Sequence, residues 1–191
     1  HAGILAQDVK NYSDVFPRAA RRIILEMEKD ITRLADFEIF ISKLGWQRYN
    51  KMVIRASTKK ATLIPLPYDP FYLNKSLPPL PSGKTRNIGM VARWDRTKNH
   101  EGFLALATEA HRQKLPWKFY SVTWPPPTRK RLAFKKRFRR HIEIVPPMLP
   151  SQLKKFYQKM DLLILPSHFE MMGTVVMEAL LQNRTTLISP N

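Results

Sequence analysis

Residues 161–181 read DLLILPSHFEMMGTVVMEALL. The run DLLILP is short, apolar and rich in branched side chains, which predicts a strand. GTVVMEALLQ, from Gly173 onward, predicts a helix with an apolar side. Between them lie a proline, a serine and an acid, Glu170. A second acid, Glu178, follows with seven residues between the two. A strand, a turn carrying an acid, a glycine and a helix carrying another acid make a ligand site. The first N–H groups of a helix have no acceptor within it and suit a phosphate. Carboxylates beside them are poor partners for phosphate but good acceptors for sugar hydroxyls. That combination points to a nucleotide sugar.

Working backward from this stretch, strand and helix alternate without a break. NIGMVA, WKFYSVTW, IEIVP and TTLIS predict strands. EGFLALATEAHRQ, TRKRLAFKKRFRR and SQLKKFYQKM predict helices. Such alternation predicts an α/β fold, a Rossmann-like parallel sheet with helical crossovers. The strands are apolar on both faces, as expected where helices cover both sides. Earlier in the chain, residues 17–35 predict a helix whose Ile23, Ile24, Met27, Ile31 and Leu34 follow helical spacing. EIFIS is expected to be a short buried strand, residues 45–56 a helix and ATLIPL a second strand. DPFYLNKSLPPLPSGKTR, with its prolines and polar residues, reads as a linker. The chain stops at SPN directly after a strand, so we expect a domain truncated at one or both ends.

The charge is unusual for 191 residues, a formal +18. It favours polyanionic partners: nucleic acid, anionic lipid or phosphorylated substrates. There is no cysteine, so disulfides and thiolate metal ligands are excluded. No apolar run is long enough to span a bilayer. The opening HAGILAQDVK has neither a basic n-region nor an h-region. The expected location is cytoplasmic, peripheral to a membrane.

From Asn87 to Asn191 the chain resembles the C-terminal, donor-binding domain of retaining glycosyltransferases with the GT-B fold, in the group called family 4. The likeness rests on VARWDRTKN after the first strand and on an ordered series near the end: Tyr157, Asp161, Pro166, Ser167, Glu170, Gly173, Glu178 and Ala179. The E-x7-E element alone is weak; the series is far more specific. ADFEIFIS and ATLIPLPYDPFY resemble the end of the same group's N-terminal domain. The resemblance therefore implies residues 1–75 as the remnant of an acceptor-side domain, 76–86 as a linker and 87–191 as the donor-binding domain. There are departures: Ala92 and Asn99 stand where the group usually has glycine, and LPYD lacks the usual asparagine-glycine.

The resemblance implies a hexosyltransferase that uses a nucleoside diphosphate sugar as substrate, with no cofactor and no required metal. It assigns Arg93 and Lys98 to the diphosphate, Glu170 to hydroxyls of the donor sugar and Glu178 to the ribose. Gly173 and Thr174 would give backbone N–H groups to the phosphate. Each residue also has a plainer reading. Arg93 and Lys98 could be solvated charges, Glu170 a helix cap and Glu178 an exposed or paired acid. His168 reads as a loop histidine. His100, His111 and His141 lack metal-ligand spacing. The acceptor is left open, since the acceptor-side loops belong to the other domain.

One motif is not absorbed by the transfer reaction. Residues 129–140 concentrate Arg129, Lys130, Arg131, Lys135, Lys136, Arg137, Arg139 and Arg140, with Phe134 and Phe138 one helical turn apart. Two partners compete for it, an anionic membrane surface and RNA phosphates. The competing function is a catalytically inactive glycosyltransferase-like protein that binds RNA or serves as a scaffold in a larger assembly.

Overall fold

The computed structural model describes residues 18–53, 61–74, 76, 78–80, 82–123, 136–170 and 173–189. The chain divides into two compact units between Pro67 and Tyr68. The first holds helix α1 (Arg18–Leu34), strand β1 (Glu38–Phe40), helix α2 (Lys43–Val53) and strand β2 (Ala61–Leu63). β1 and β2 pair in parallel, so α2 lies in the crossover between them. α2 begins two residues before the expected Gly45 because Ser42 caps it, its Oγ accepting from the Gly45 N–H at 3.0 Å. Tyr49 is the buried anchor of this unit; its ring lies 5.4 Å from that of Phe40 and its hydroxyl bonds Thr32. β1 differs from expectation. Ile39 is exposed rather than buried, as are Ile23, Met27, Ile31 and Leu34 along α1.

The second unit holds β3 (Arg86–Val91), α3 (His100–Arg112), β4 (Trp117–Val122), β5 (Ile142–Val145), α4 (Pro150–Lys159), β6 (Leu162–Leu165), α5 (Thr174–Leu181) and β7 (Thr185–Ile188). Its five strands are all parallel, in the order β5-β4-β3-β6-β7. The chain starts in the middle at β3, winds outward to β5, then returns to lay β6 on the other side of β3. Between β3 and β6 the winding reverses. In an open parallel sheet a ligand crevice forms at such a point, beyond the carboxyl ends of the strands.

Apolar residues cover both faces of the sheet. Ile88 and Met90 of β3 and Phe119 of β4 pack with Phe103, Leu104 and Ala107 of α3. Val91 and Val122 pack with Phe156 and Tyr157 of α4 and Ala179 of α5. The alternation of side chains along β3 thus serves two layers at once.

Residues 69–86 read as a linker because of their prolines, yet part of this stretch is fixed to the second unit. Asp69 accepts from the Phe71 N–H at 2.9 Å and starts a 3-10 turn, Pro70–Tyr72. Tyr72 is buried. The Gln182 carboxamide donates to the Tyr72 carbonyl, and its oxygen accepts from Asn74 Nδ2 at 2.9 Å. The Arg184 guanidinium donates to the carbonyls of Pro78 and Pro79 at 3.0 and 2.5 Å. Proline cannot join a sheet ladder, but its carbonyl accepts as well as any other.

Of the expected basic helix, Arg129, Lys130, Arg131, Phe134 and Lys135 lie outside the described residues. Residues 136–138 form a helical turn in which Phe138 is wholly buried. Arg137 leaves that turn to pair with Glu101 of α3 at 2.7 Å. Among the described residues no helix is long and apolar enough to cross a membrane.

Candidate functional site

Residues 92–99 leave the carboxyl end of β3 and are built almost entirely by local capping. Asp95 Oδ1 accepts from the Thr97 N–H and the Thr97 hydroxyl, each at 2.7 Å, which sets the 3-10 turn Arg96–Lys98. Asn99 follows in the left-handed conformation, φ 53 and ψ 50, and its Oδ1 caps α3 by accepting from the Gly102 N–H at 3.0 Å. Asparagine is among the few residues that tolerate this conformation. Asparagine here both follows the left-handed backbone path and caps the helix. His100, buried at the start of α3, donates from Nε2 to the Arg93 carbonyl at 2.9 Å. Its ring lies 4.1 Å from that of Trp94. Burial pushes its pKa down to about 4, against the opposing effect of the Arg93 carbonyl.

Residues 166–173 leave the carboxyl end of β6. The Ser189 hydroxyl donates to the Ser167 carbonyl at 2.8 Å. The His168 N–H donates to the Thr97 carbonyl at 2.7 Å, tying this loop to the one after β3. The consequence is a contact between residues far apart in sequence. Lys98 Nζ lies 2.5 Å from Glu170 Oε2, and the two side chains are only 18 % and 22 % exposed. Gly173 then caps α5. A Cβ there would stand 3.1 Å from Leu165 and from Val176, and 3.6 Å from Glu170 Cγ. Glycine lets the helix start close against β6 and beside the Glu170 carboxylate. The first N–H groups of α5, beginning at Thr174, have no acceptor within the helix.

Thus Lys98, Glu170 and Gly173 come together at the switch point, with Thr174 adjoining them. Arg93 and Glu178 are placed differently. The Arg93 side chain is 83 % exposed, and its only ion pair among the described residues is with Asp95 at 3.9 Å. Glu178 accepts from the Tyr157 hydroxyl at 2.7 Å. Burial raises the Glu178 pKa, with the charge of Asp69 adding to the effect and the Tyr157 bond opposing it. Tyr72 is pushed up to about 12, first by burial and then by the charge of Glu178. His168 is exposed. Among the described residues no three His, Asp or Glu side chains gather to hold a metal ion.

Two residues shape these loops, and the sequence signals only one of them. His100 holds the Arg93 carbonyl but reads as an ordinary first-turn residue. Asp95 was legible in principle, since an aspartate two residues before a threonine favours a local turn. Two cavities, of about 440 and 630 Å³, lie away from this crevice. The first is lined by Glu101, Thr108, Arg137 and Arg140, the second by His111, Arg112, Lys114, Trp117 and Arg140. A cation, a carboxylate and an open helix N-terminus at one point can together hold an anion and a hydroxyl-bearing group.

The family model described as "Glycosyl transferases group 1" matches residues 85–190. No curated protein matches the chain. Among solved structures, sucrose-phosphate synthase from Thermosynechococcus elongatus superposes with a TM-score of 0.74 at 20 % identity, covering 98 % of this chain and 48 % of its own. WaaG, a glycosyltransferase involved in lipopolysaccharide biosynthesis, gives 0.68 at 15 % identity, covering 96 % of this chain and 53 % of its own. HepE from Anabaena, in complex with UDP and glucose, gives 0.65 at 14 % identity, with 91 % and 50 % covered. The chain thus spans about half the length of these structures, and at such identities they establish the GT-B fold alone. With the family match extending over more than half of its residues, the chain belongs to the group 1 glycosyltransferases.

Proposed function

We propose that this chain is the donor-binding part of a retaining glycosyltransferase of family 4, which moves a hexose from a nucleoside diphosphate sugar to a glycan, lipid or other acceptor. The observation that carries this reading is the Lys98–Glu170 pair beside the N-terminus of α5, at the point where the sheet reverses its winding. In this reading the unit from Tyr68 onward receives the donor and the unit ending at Pro67 belongs to the acceptor side.

The donor enters by separating that pair. Lys98 Nζ turns from the carboxylate to the diphosphate, and Glu170 is released to accept from hydroxyls of the hexose. Arg93, already extended into solvent, folds over the same diphosphate. The N–H groups of Gly173 and Thr174 add to it from the helix end. Glu178, kept polar by Tyr157, takes the ribose hydroxyls. During transfer the bond from C1 to the diphosphate oxygen breaks, and its electron pair goes to that oxygen. The acceptor oxygen bonds C1 on the same face and its proton passes to the departing diphosphate. Two side-chain cations and the helix N–H groups supply the positive charge the leaving group needs, without a metal.

Calorimetric titration with UDP, GDP and ADP tests the reading. UDP and ADP are apt probes because HepE is in complex with UDP, and Arabidopsis starch synthase IV with ADP. At least one is expected to bind, and Lys98→Ala is expected to weaken it by about tenfold or more, the loss of one charge-assisted contact. Glu170→Gln is expected to leave the bare nucleotide bound while abolishing hydrolysis of the sugar-loaded donor. Failure of all three nucleotides to bind, or an unchanged affinity in Lys98→Ala, refutes the proposal.

A further inference from the structure

A parallel sheet gathers the amino ends of all its strands on one edge. Here that edge, opposite the donor crevice, is cationic. Lys84 and Arg86 stand at the start of β3, Lys114 and Lys118 flank the start of β4, Arg140 precedes β5 and Lys159 precedes β6. All six are exposed. Neighbouring strands lie about 5 Å apart, so these charges form a row rather than a scatter. Two acids near this end are engaged, Asp161 by Arg86 at 2.9 Å and Glu109 by Arg112 at 2.5 Å, whereas Glu143 of β5 is exposed. Two apolar side chains project among the cations, Leu115 and Trp117, 36 % and 38 % exposed. Trp117 and Arg140 line one shallow cavity of about 630 Å³ with Lys114 and Arg112.

We infer that this amino-end face docks on an anionic lipid surface. Cations attract a negatively charged leaflet at short range. A tryptophan set among them suits the headgroup layer, where an aromatic ring is half in water and half out. Leu115 beside it adds an apolar contact that a purely electrostatic polyanion site does not need. The geometry leaves the carboxyl-end crevice facing away from the membrane. This surface is distinct from the donor site and does not depend on the function proposed for it.

Co-sedimentation of the full chain with vesicles tests the inference. Vesicles containing about one-third phosphatidylglycerol are expected to retain the protein, and pure phosphatidylcholine vesicles are not. Because the whole chain is basic, the control must be matched in charge. The double variant Lys114→Asn/Arg140→Gln is expected to weaken binding roughly thirtyfold, the loss of two basic contacts. Asparagine suits the left-handed φ of 55 at position 114. Lys43→Gln/Lys155→Gln, which removes the same charge from other exposed positions, is expected to stay within about twofold. Trp117→Ala is expected to weaken binding at high salt, where only the apolar contribution remains. Equal losses in both double variants overturn the inference, as does equal binding to neutral vesicles. So does release from the vesicles by single-stranded RNA whose own binding is lost in Lys114→Asn/Arg140→Gln, which would assign the face to nucleic acid.

Discussion

Position 99 shows how one side chain can both tolerate an unusual backbone and use it. A residue with φ 53 is required there, and asparagine accepts it while capping α3 through its own side chain. The next residue has a cost that depends on pH. His100 is buried with its pKa pushed down to about 4, whereas an unfolded histidine titrates near 6.5. Above that value both states are neutral and the histidine adds no pH dependence. As pH falls toward 4, the unfolded chain takes up a proton that the folded one refuses, so stability falls by about 2–4 kcal/mol. Urea unfolding between pH 7 and pH 4 is expected to show this decline. A His100→Asn variant is expected to flatten it, because no titrating group remains at the position. An unchanged slope in the variant would place the acid sensitivity elsewhere.

At the scale of elements, the seam between β3 and α4 governs how closely the sheet is covered. Gly89 is the one residue of β3 without a side chain on that face. A Cβ there would stand 2.9 Å from Met160 Cγ and Sδ and 3.3 Å from Phe156 Cε1. Met160 is flexible but buried, so it can yield only by disturbing its neighbours. Gly89→Ala is expected to cost about 1–3 kcal/mol, read as a lower midpoint in thermal or urea unfolding. Met160→Ala in the same chain is expected to recover part of it, a non-additivity that identifies the contact. The same seam carries Tyr157, whose hydroxyl serves Glu178 from across the α4–α5 interface. Tyr157→Phe is expected to destabilise by about 1–2 kcal/mol and to raise the Glu178 pKa further, because a half-buried carboxylate loses its donor.

On the scale of the whole molecule, the second unit carries a proline-rich strap that Arg184 and Gln182 hold beside the start of β7. Arg184 is almost wholly buried, and burial lowers its pKa, with Asp161 opposing that shift. Arg184→Met is expected to cost about 2–3 kcal/mol and to make the amides of Tyr72, Leu73, Asn74 and Leu80 more open to hydrogen exchange, while the denaturant slope stays the same. The α/β alternation and the strand positions of the second unit were legible in sequence, because hydrophobic period and turn residues are local properties. The strap was not: its prolines announce a linker, and the guanidinium that holds it lies about a hundred residues later in the chain. Nor did sequence separate Glu170 from Glu178, two acids in one motif. Tertiary structure gave one a lysine across the switch point and the other a tyrosine from α4. Sequence by itself determined which segments become strands and helices and that a helix begins at Gly173, since φ preferences and side-chain period act over a few residues. Only the tertiary structure decided that Lys98 meets Glu170, because that contact exists only once β6 has been laid beside β3.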